Sequence, residues 1–172
     1  MREDRTVIED LDAAEIDRFL RRQVVGRVGC HTDGRTYVVP VIYVWDGESV
    51  YVQSIEGRKI EMMRANPHVC FEVDEYEPDG SWRSVIVEGV YEELEGDRAE
   101  RALALLVERF VARRGGTGGR RPERGQGHRP VAFRIRCTQA TGRRVERTPA
   151  TRVLQRLGRA VSRRAARRAR RA

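Results

Sequence analysis

The chain has 172 residues, with 34 Lys and Arg against 26 Asp and Glu and a formal net charge of +8. That length suits one domain, and a hydrophobic content of 40% is enough for a core, which excludes a globally disordered chain. No apolar run reaches the roughly 18 residues of a membrane span, no secretory signal follows the charged start, and the three cysteines form no CxxC pair. We therefore expect a cytoplasmic protein without a metal site.

The positive charge is concentrated at one end of the chain. Residues 151–172 contain nine arginines and no acidic residue, so the remaining 150 residues carry 25 basic and 26 acidic side chains. A nearly neutral body is unlike a nucleic-acid-binding domain, whose own surface is basic. We expect a folded domain over 1–148 and a basic, Arg/Ala-rich helix or tail over 149–172, which would bind nucleic acid or an anionic membrane, or extend into solvent.

Hydrophobic periodicity and turn residues divide the body into alternating elements. In chain order they are a helix over 13–22, strands over 24–31, 36–45 and 49–54, a helix over 57–64, strands over 68–73 and 82–91, a helix that begins at Asp97, a Gly/Arg-rich loop over 113–130, and a strand over 131–138. The third helix is predicted to pack through Leu103, Leu106, Val107, Phe110 and Val111. Six strands in short hairpins predict a mainly β fold with peripheral helices, a small closed or split antiparallel barrel.

Three local signals refine this prediction. The pair Asp12 and Glu15 has the spacing of a capping box at the start of the first helix. Asp33-Gly34 is typical of a two-residue hairpin turn. Pro40 lies inside a predicted strand and removes a hydrogen-bond donor, so we expect a strand edge or a bulge there.

The start of the second helix predicts an anion site. Lys59 is the only lysine among 34 basic residues, and a compact ammonium there is not equivalent to a guanidinium. It follows Gly57 and Arg58 at a helix N-terminus, where free backbone N–H groups favour anions. Two cations at this end are unfavourable unless an anion binds. Gly57, Arg58 and Lys59, with the Ser54 hydroxyl, therefore predict a phosphate cradle.

Five short motifs occur in order along the body: Gly26-Arg27-Val28-Gly29; Tyr37-Val38-Val39-Pro40-Val41; Tyr51-x-x-Ser54-x-x-Gly57-Arg58-Lys59; Asn66-Pro67-x-Val69-Cys70-Phe71; and Ser84-Val85-x-Val87-x-Gly89. Together they resemble the flavin-binding split-barrel superfamily typified by pyridoxamine 5′-phosphate oxidase, and most closely its branch of nitroimidazole-resistance-like proteins. The resemblance covers about residues 10–140.

The resemblance implies a six-stranded split barrel that forms a homodimer with FMN at the interface and exchanges two electrons with a small organic substrate. It would place Val39, Pro40 and Val41 along the isoalloxazine, and Arg58 and Lys59 at the phosphate. Gln53 and Ser54 would lie near the ring and the ribityl chain, while Trp82 and Ser84 would reach the cofactor from the fifth predicted strand.

Departures from the resembled families keep alternatives open. The nitroimidazole-resistance branch often has a histidine where this chain has Gln53, and the substrate-binding end of a genuine pyridoxamine phosphate oxidase is not recognisable. We therefore expect no role in vitamin B6 synthesis, and we assign no catalytic residue. Deazaflavin, FAD or haem are alternatives to FMN, and a cofactor-binding protein without turnover is the alternative to an oxidoreductase.

Overall fold

A computed structural model describes residues 7–114 and 129–146, with side chains described over 7–109 and 129–146. It contains seven strands and three helices in these ranges. In chain order they are β1 (Ile8–Asp10), α1 (Ala13–Arg22), β2 (Val25–Thr32), β3 (Arg35–Trp45), β4 (Ser49–Ile55), α2 (Arg58–Ala65), β5 (His68–Tyr76), β6 (Trp82–Leu94), α3 (Gly96–Arg114) and β7 (Pro130–Val145). The expected basic segment 149–172 lies outside the described residues, so its binding to nucleic acid or membrane stays a prediction.

The strands form one antiparallel sheet that closes on itself. Its order is β1-β7-β4-β3-β2-β5-β6, and β6 also pairs with β7. The six strands β2 to β7 thus make the barrel, as predicted, and β1 adds a seventh strand at the edge of β7. None of the described helices is long and apolar enough to cross a membrane.

Helix α1 packs its apolar side against the barrel core. Asp12 caps it by accepting from the backbone N–H of Glu15, and Glu15 accepts from the backbone of Asp12, which confirms the predicted capping box. Phe19 and Leu20 are buried in the main hydrophobic cluster, where full burial of each such side chain contributes about 1.5–3 kcal/mol. The hydroxyl of Tyr43 donates to the carbonyl of Leu20 at 2.7 Å, which fixes α1 to β3.

The predicted signals at Asp33-Gly34 and Pro40 are both confirmed. Asp33 and Gly34 have φ angles of +48° and +70° and connect β2 to β3, as a hairpin of this type requires. Pro40 pairs with Arg27 of β2, whereas β3 pairs with β4 only from Tyr43 to Trp45. Pro40 therefore lies on a stretch of β3 whose β4-facing edge has no ladder partner among the described residues.

Three sequence predictions need correction. Val107 of α3 is exposed, because Ala102 and Leu106 form the buried side of that helix; Phe110 and Val111 lie outside the described side chains. Strand β7 was expected to end at 138 but continues to Val145, where it pairs with β6 and β1. Helix α3 also extends two residues into the expected loop 113–130, most of which lies outside the described residues.

Close packing in β2 generates a stability prediction. A Cβ at Gly26 would lie 2.2 Å from the Phe71 ring and 2.9 Å from the carbonyl oxygen of Glu72, whereas at Gly29 the nearest atom would be 3.6 Å away. Gly26→Ala should therefore lower the free energy of unfolding by about 1–3 kcal/mol through overpacking. Gly29→Ala is the matched control in the same strand. Urea denaturation followed by tryptophan fluorescence measures both, and equal effects would contradict the described packing.

Candidate functional site

The candidate site is the region where β3 and β4 stop pairing, called here the β3–β4 cleft. Ladder pairing between the two strands ends at Tyr43 opposite Val52. Beyond that point, residues 35–42 pair with β2 and with no other strand of the described chain, while residues 53–55 pair with β7. An unpaired strand edge presents backbone N–H and C=O groups that a ligand can satisfy.

Helix α2 begins directly at the end of this cleft. Gly57 is its N-cap and makes no side-chain capping bond. A helix leaves its first backbone N–H groups without an intrahelical partner. Gly57 has φ +153°, a conformation that favours glycine, and no heavy atom lies within 4 Å of the position a Cβ would take. The helix start is thus open to an anion.

The two cations of the predicted cradle lie at this helix start. The guanidinium carbon of Arg58 stands 4.7 Å from the ring centroid of Tyr37, a cation–π geometry that holds the side chain over β3. Lys59 is half-buried, and burial lowers the pKa of its ammonium. In the part of the chain that the structure describes, neither cation has a carboxylate partner, although fourteen ion pairs occur elsewhere in it. A phosphate would supply the missing negative charge.

Cys30 and Tyr37 lie next to the two cations, with the Tyr37 ring under Arg58. The sequence analysis did not predict that these two residues belong to the site. The buried thiol of Cys30 lies 3.5 Å from the carbonyl oxygen of Tyr37. Burial raises the pKa of the Cys30 thiol, and this effect outweighs the positive charges of Arg58 and Lys59, which lower it. The thiol is therefore held neutral. The two-residue strand period places Tyr37 on the same side of β3 as Val39, which is the signal that could have identified it.

The structure brings most of the predicted site residues to the cleft. Val39 and Val41 lie on the unpaired stretch of β3 with side chains turned toward the core, and Pro40 between them is exposed. On the β4 side, Gln53 is exposed and Ser54 is partly buried. The Ser54 hydroxyl donates to the Ile55 carbonyl at 3.3 Å, so a ligand would compete with this contact.

Trp82 and Ser84 do not join this cluster within one chain. They lie near the start of β6, where they pair with Tyr76 and Asp74 of β5. The barrel order places β6 three strands from β3, or about 14 Å at the usual strand spacing.

The outer face of strands β2, β3, β5 and β6 carries unusual apolar exposure. A cavity of about 610 Å³ on this face is lined by residues that include Gly29, Val38 and Cys70, but not by Arg58 or Lys59. The exposed apolar side chains on the same face are Val25, Val38, Ile42, Tyr76 and Ile86. Large contiguous apolar patches on a protein surface mark interaction sites. No group of three or more His, Cys, Asp or Glu that could hold a metal ion occurs in the described part.

Comparison with known proteins identifies relatives of this fold. The family model described as pyridoxamine 5′-phosphate oxidase matches residues 12–144. A curated relative, an uncharacterized protein of Rhizobium meliloti, is 39% identical over 70 residues, which cover 41% of this chain and 46% of that protein. This chain therefore spans less than half the length of the curated relative it matches.

Solved structures extend the match over most of the chain. An FAD-binding protein from Mesorhizobium loti is 33% identical with a TM-score of 0.66, covering 83% of this chain and all of that one. The FAD-binding protein from Mycobacterium smegmatis is 25% identical with a TM-score of 0.58, and the match covers 82% of this chain and 99% of that one. The same fold occurs in a candidate 5-nitroimidazole antibiotic resistance protein from Bacteroides thetaiotaomicron. It is 18% identical with a TM-score of 0.62, and the match covers 83% of this chain and 93% of that one.

The partly buried ammonium of Lys59 generates a prediction about its protonation. Because Lys59 is the only lysine in the chain, protein labelled with isotopic lysine gives one side-chain NMR signal. We expect it to titrate below the ordinary lysine pKa, since burial disfavours the charged form. Inorganic phosphate should raise this pKa, because a bound anion favours the ammonium. Phosphate affinity should therefore be greatest below the pKa of the free protein and fall as the pH rises above it.

Titration with chloride at matched ionic strength is the control for general screening. A signal that titrates at the ordinary lysine pKa and responds equally to both salts would contradict the phosphate cradle.

Proposed function

Because the chain belongs to the pyridoxamine 5′-phosphate oxidase family, we propose that it is a flavin-dependent oxidoreductase whose cofactor lies in the β3–β4 cleft. The observation that carries this proposal is the pair of adjacent cations, Arg58 and Lys59, at a helix start whose N-cap makes no side-chain bond. Neither cation has a carboxylate partner among the described residues. A phosphate ester of the flavin would neutralise both charges. The fit is chemical as well as geometric, because a guanidinium can donate to two phosphate oxygens while the ammonium acts as a point charge.

The ring of the flavin would lie along the unpaired edge of β3. Its polar edge carries carbonyl and N–H groups, which match the backbone groups of a strand that lacks a neighbour. Pro40 offers no N–H, so the backbone donors on the free edge are those of Val38 and Ile42. Val39 and Val41 face β2 instead, because Tyr43 donates its N–H to Val24 of the β2 side and alternate residues of a strand direct their N–H groups the same way. Gln53 lies across the cleft on β4 and can donate or accept through its amide.

The protein's part in the reaction is binding and positioning. When bound, the flavin itself carries the electrons. Arg58 and Lys59 hold its phosphate end, and the rigid pairing of β3 with β2 fixes the edge along which the ring would lie. No acid or base is assigned at the cleft, so a proton taken up or released by a small organic substrate would be exchanged with solvent.

The cofactor is proposed as a flavin mononucleotide unit, present either as FMN or within FAD. Two of the similar structures are named FAD-binding proteins, which supports a flavin over a deazaflavin or haem. The absorption spectrum of the purified protein distinguishes these cofactors directly. Anaerobic addition of reduced nicotinamide then tests turnover: bleaching of the flavin supports an oxidoreductase, and an unchanged spectrum with every nicotinamide tested supports a carrier.

Removing the ammonium should weaken flavin binding. Lys59→Ala loses one charged contact to the phosphate, for which about 1.5–3 kcal/mol is typical, so we expect the Kd for FMN to rise by about tenfold or more. Lys59→Arg should recover part of the affinity, because it restores charge with a different shape. Flavin fluorescence titration measures both variants, with exposed Arg18→Ala on α1 as control. Equal affinity of wild type and Lys59→Ala would reject the cradle.

We also propose that the protein is a homodimer joined through the outer face of β2, β3, β5 and β6. Covering this face would bury the apolar side chains that it exposes, Ile86 and Tyr76 among them. A second copy seated there would bring its Trp82 and Ser84 to the interface, since both start β6 on the same face. This would complete a cofactor site that one chain leaves open.

A charge on the outer face should separate the two subunits. Ile86→Glu places a carboxylate in the proposed interface, where desolvation disfavours it, so we expect light scattering to report 19.8 kDa instead of twice that mass. Val107→Glu on α3 is the matched control, since Val107 is 52% exposed against 42% for Ile86 and lies off this face. A monomeric wild type, or a dimer unaffected by Ile86→Glu, would contradict this interface.

A further inference from the structure

A second cavity lies beside the cleft and is not used by the proposed flavin mononucleotide unit. Its volume is about 450 Å³, and it is formed where the end of α2, the end of β6, the start of α3 and the start of β7 meet. The lining residues are Arg64, Glu93, Glu95, Arg98 and Arg129.

This cavity adjoins the phosphate cradle through a single residue, Glu56. The carboxylate of Glu56 pairs with Arg64 in the cavity wall, and its backbone N–H donates to the carbonyl of Arg129 at 2.9 Å. The next residue is Gly57, the N-cap at the cradle. Arg64 stands only about 8 Å along the helix axis from Lys59, at 1.5 Å per residue. The cavity and the cradle therefore lie on two sides of the same short segment.

The wall of the cavity contains one fixed arginine. Arg64 donates to both carboxylate oxygens of Glu93, at 2.8 and 2.7 Å, and also pairs with Glu56. These contacts hold the pKa of Arg64 above its usual value. Four of its five N–H donors are used in these bonds, so Arg64 mainly shapes the cavity.

Three other charged groups remain available. In the described part of the chain Arg129 and Glu95 make no hydrogen bond or ion pair through their side chains, and Arg98 has one contact of 3.6 Å with Glu92. Glu92 is already bonded to Arg134 and Arg136. A ligand can thus recruit two guanidinium groups and one carboxylate without breaking a strong pair.

This set of groups suits a nucleoside phosphate. A guanidinium pairs with phosphate oxygens or stacks on a flat base, and a carboxylate accepts from ribose hydroxyls or a base amino group. We infer, on the basis of the proposed function, that this cavity receives the adenylate half of FAD while the cleft holds the flavin half.

Gly57 provides the passage between the two halves. A pyrophosphate that starts at Lys59 must cross the backbone before it enters the cavity. At Gly57 there is no side chain, and among the described residues other than its two chain neighbours no heavy atom lies within 4 Å of the Cβ position. The backbone is therefore uncovered at the point where the second phosphate would pass.

The experiment compares FAD with FMN in the full-length protein. Wild type should bind FAD more tightly than FMN, because only FAD has the adenylate. Arg98→Ala/Arg129→Ala should raise the Kd for FAD by about tenfold or more, since contacts to charged groups are lost, and leave the Kd for FMN unchanged. Arg101→Ala is the matched control, an exposed arginine on α3 that does not line the cavity. Circular dichroism confirms that the variants fold.

The possible outcomes distinguish failure of the adenylate site from failure of the proposed flavin-dependent function. Equal affinities of wild type for FAD and FMN, or a double variant that binds FAD as tightly as wild type, would overturn the adenylate site while flavin binding stands. An equal loss of both flavins in the double variant would also overturn it. Failure of wild type to bind either flavin would reject the proposed function itself. The wild-type comparison remains decisive even if the variant does not fold.

Discussion

The separation of β3 from β4 beyond Tyr43 is the constraint on which the rest of the site depends. Three residue pairs join the two strands, and each strand then follows its other neighbour: β3 remains on β2, and β4 remains on β7. Within 7–114 and 129–146, this leaves an eight-residue edge of β3 without a ladder partner, and β4 ends where α2 begins. A polar backbone edge and a helix N-terminus therefore face the same opening, and neither can be satisfied by the other. The proposed flavin, with polar groups on its ring edge and a phosphate at its other end, would satisfy both.

Electrostatics distinguish this opening from the remainder of the surface. Most arginines of the described barrel are compensated: Arg27 lies between Glu72 and Asp74, and Arg144 lies between Glu9 and Glu15. Such exposed pairs contribute little to stability, with a median of about 0–1 kcal/mol, but they neutralise the surface. Arg58 and Lys59 are the adjacent pair that departs from this pattern. The cost of two cations at a helix start, one of them partly desolvated, is consistent with a site selected for binding and not for stability.

Much of the fold could be predicted because its signals are local. The capping box at Asp12 and the hairpin turn at Asp33-Gly34 each depend on a few adjacent residues. The anion site at Lys59 rests on equally local residues and stays a prediction. The far half of β7 could not be predicted, since Gln139 to Val145 lacks clean alternation and becomes a strand by pairing with β6 and β1. The burial of α3 was misjudged for a similar reason: which side faces the barrel depends on tertiary contacts, which leave Val107 outside. The separation of Trp82 on β6 from the cleft at β3 likewise depends on the strand order of the barrel. Strand order cannot be predicted from a local sequence pattern.

A crystal structure of the protein grown with FMN tests the central claim most directly, because it locates both ends of the cofactor. The account predicts the phosphate within hydrogen-bonding distance of Arg58 and Lys59, and the ring alongside residues 39–41 of β3. A phosphate bound elsewhere, such as in the outer-face cavity near His31 and Thr36, with the β3 edge uncovered, would contradict it.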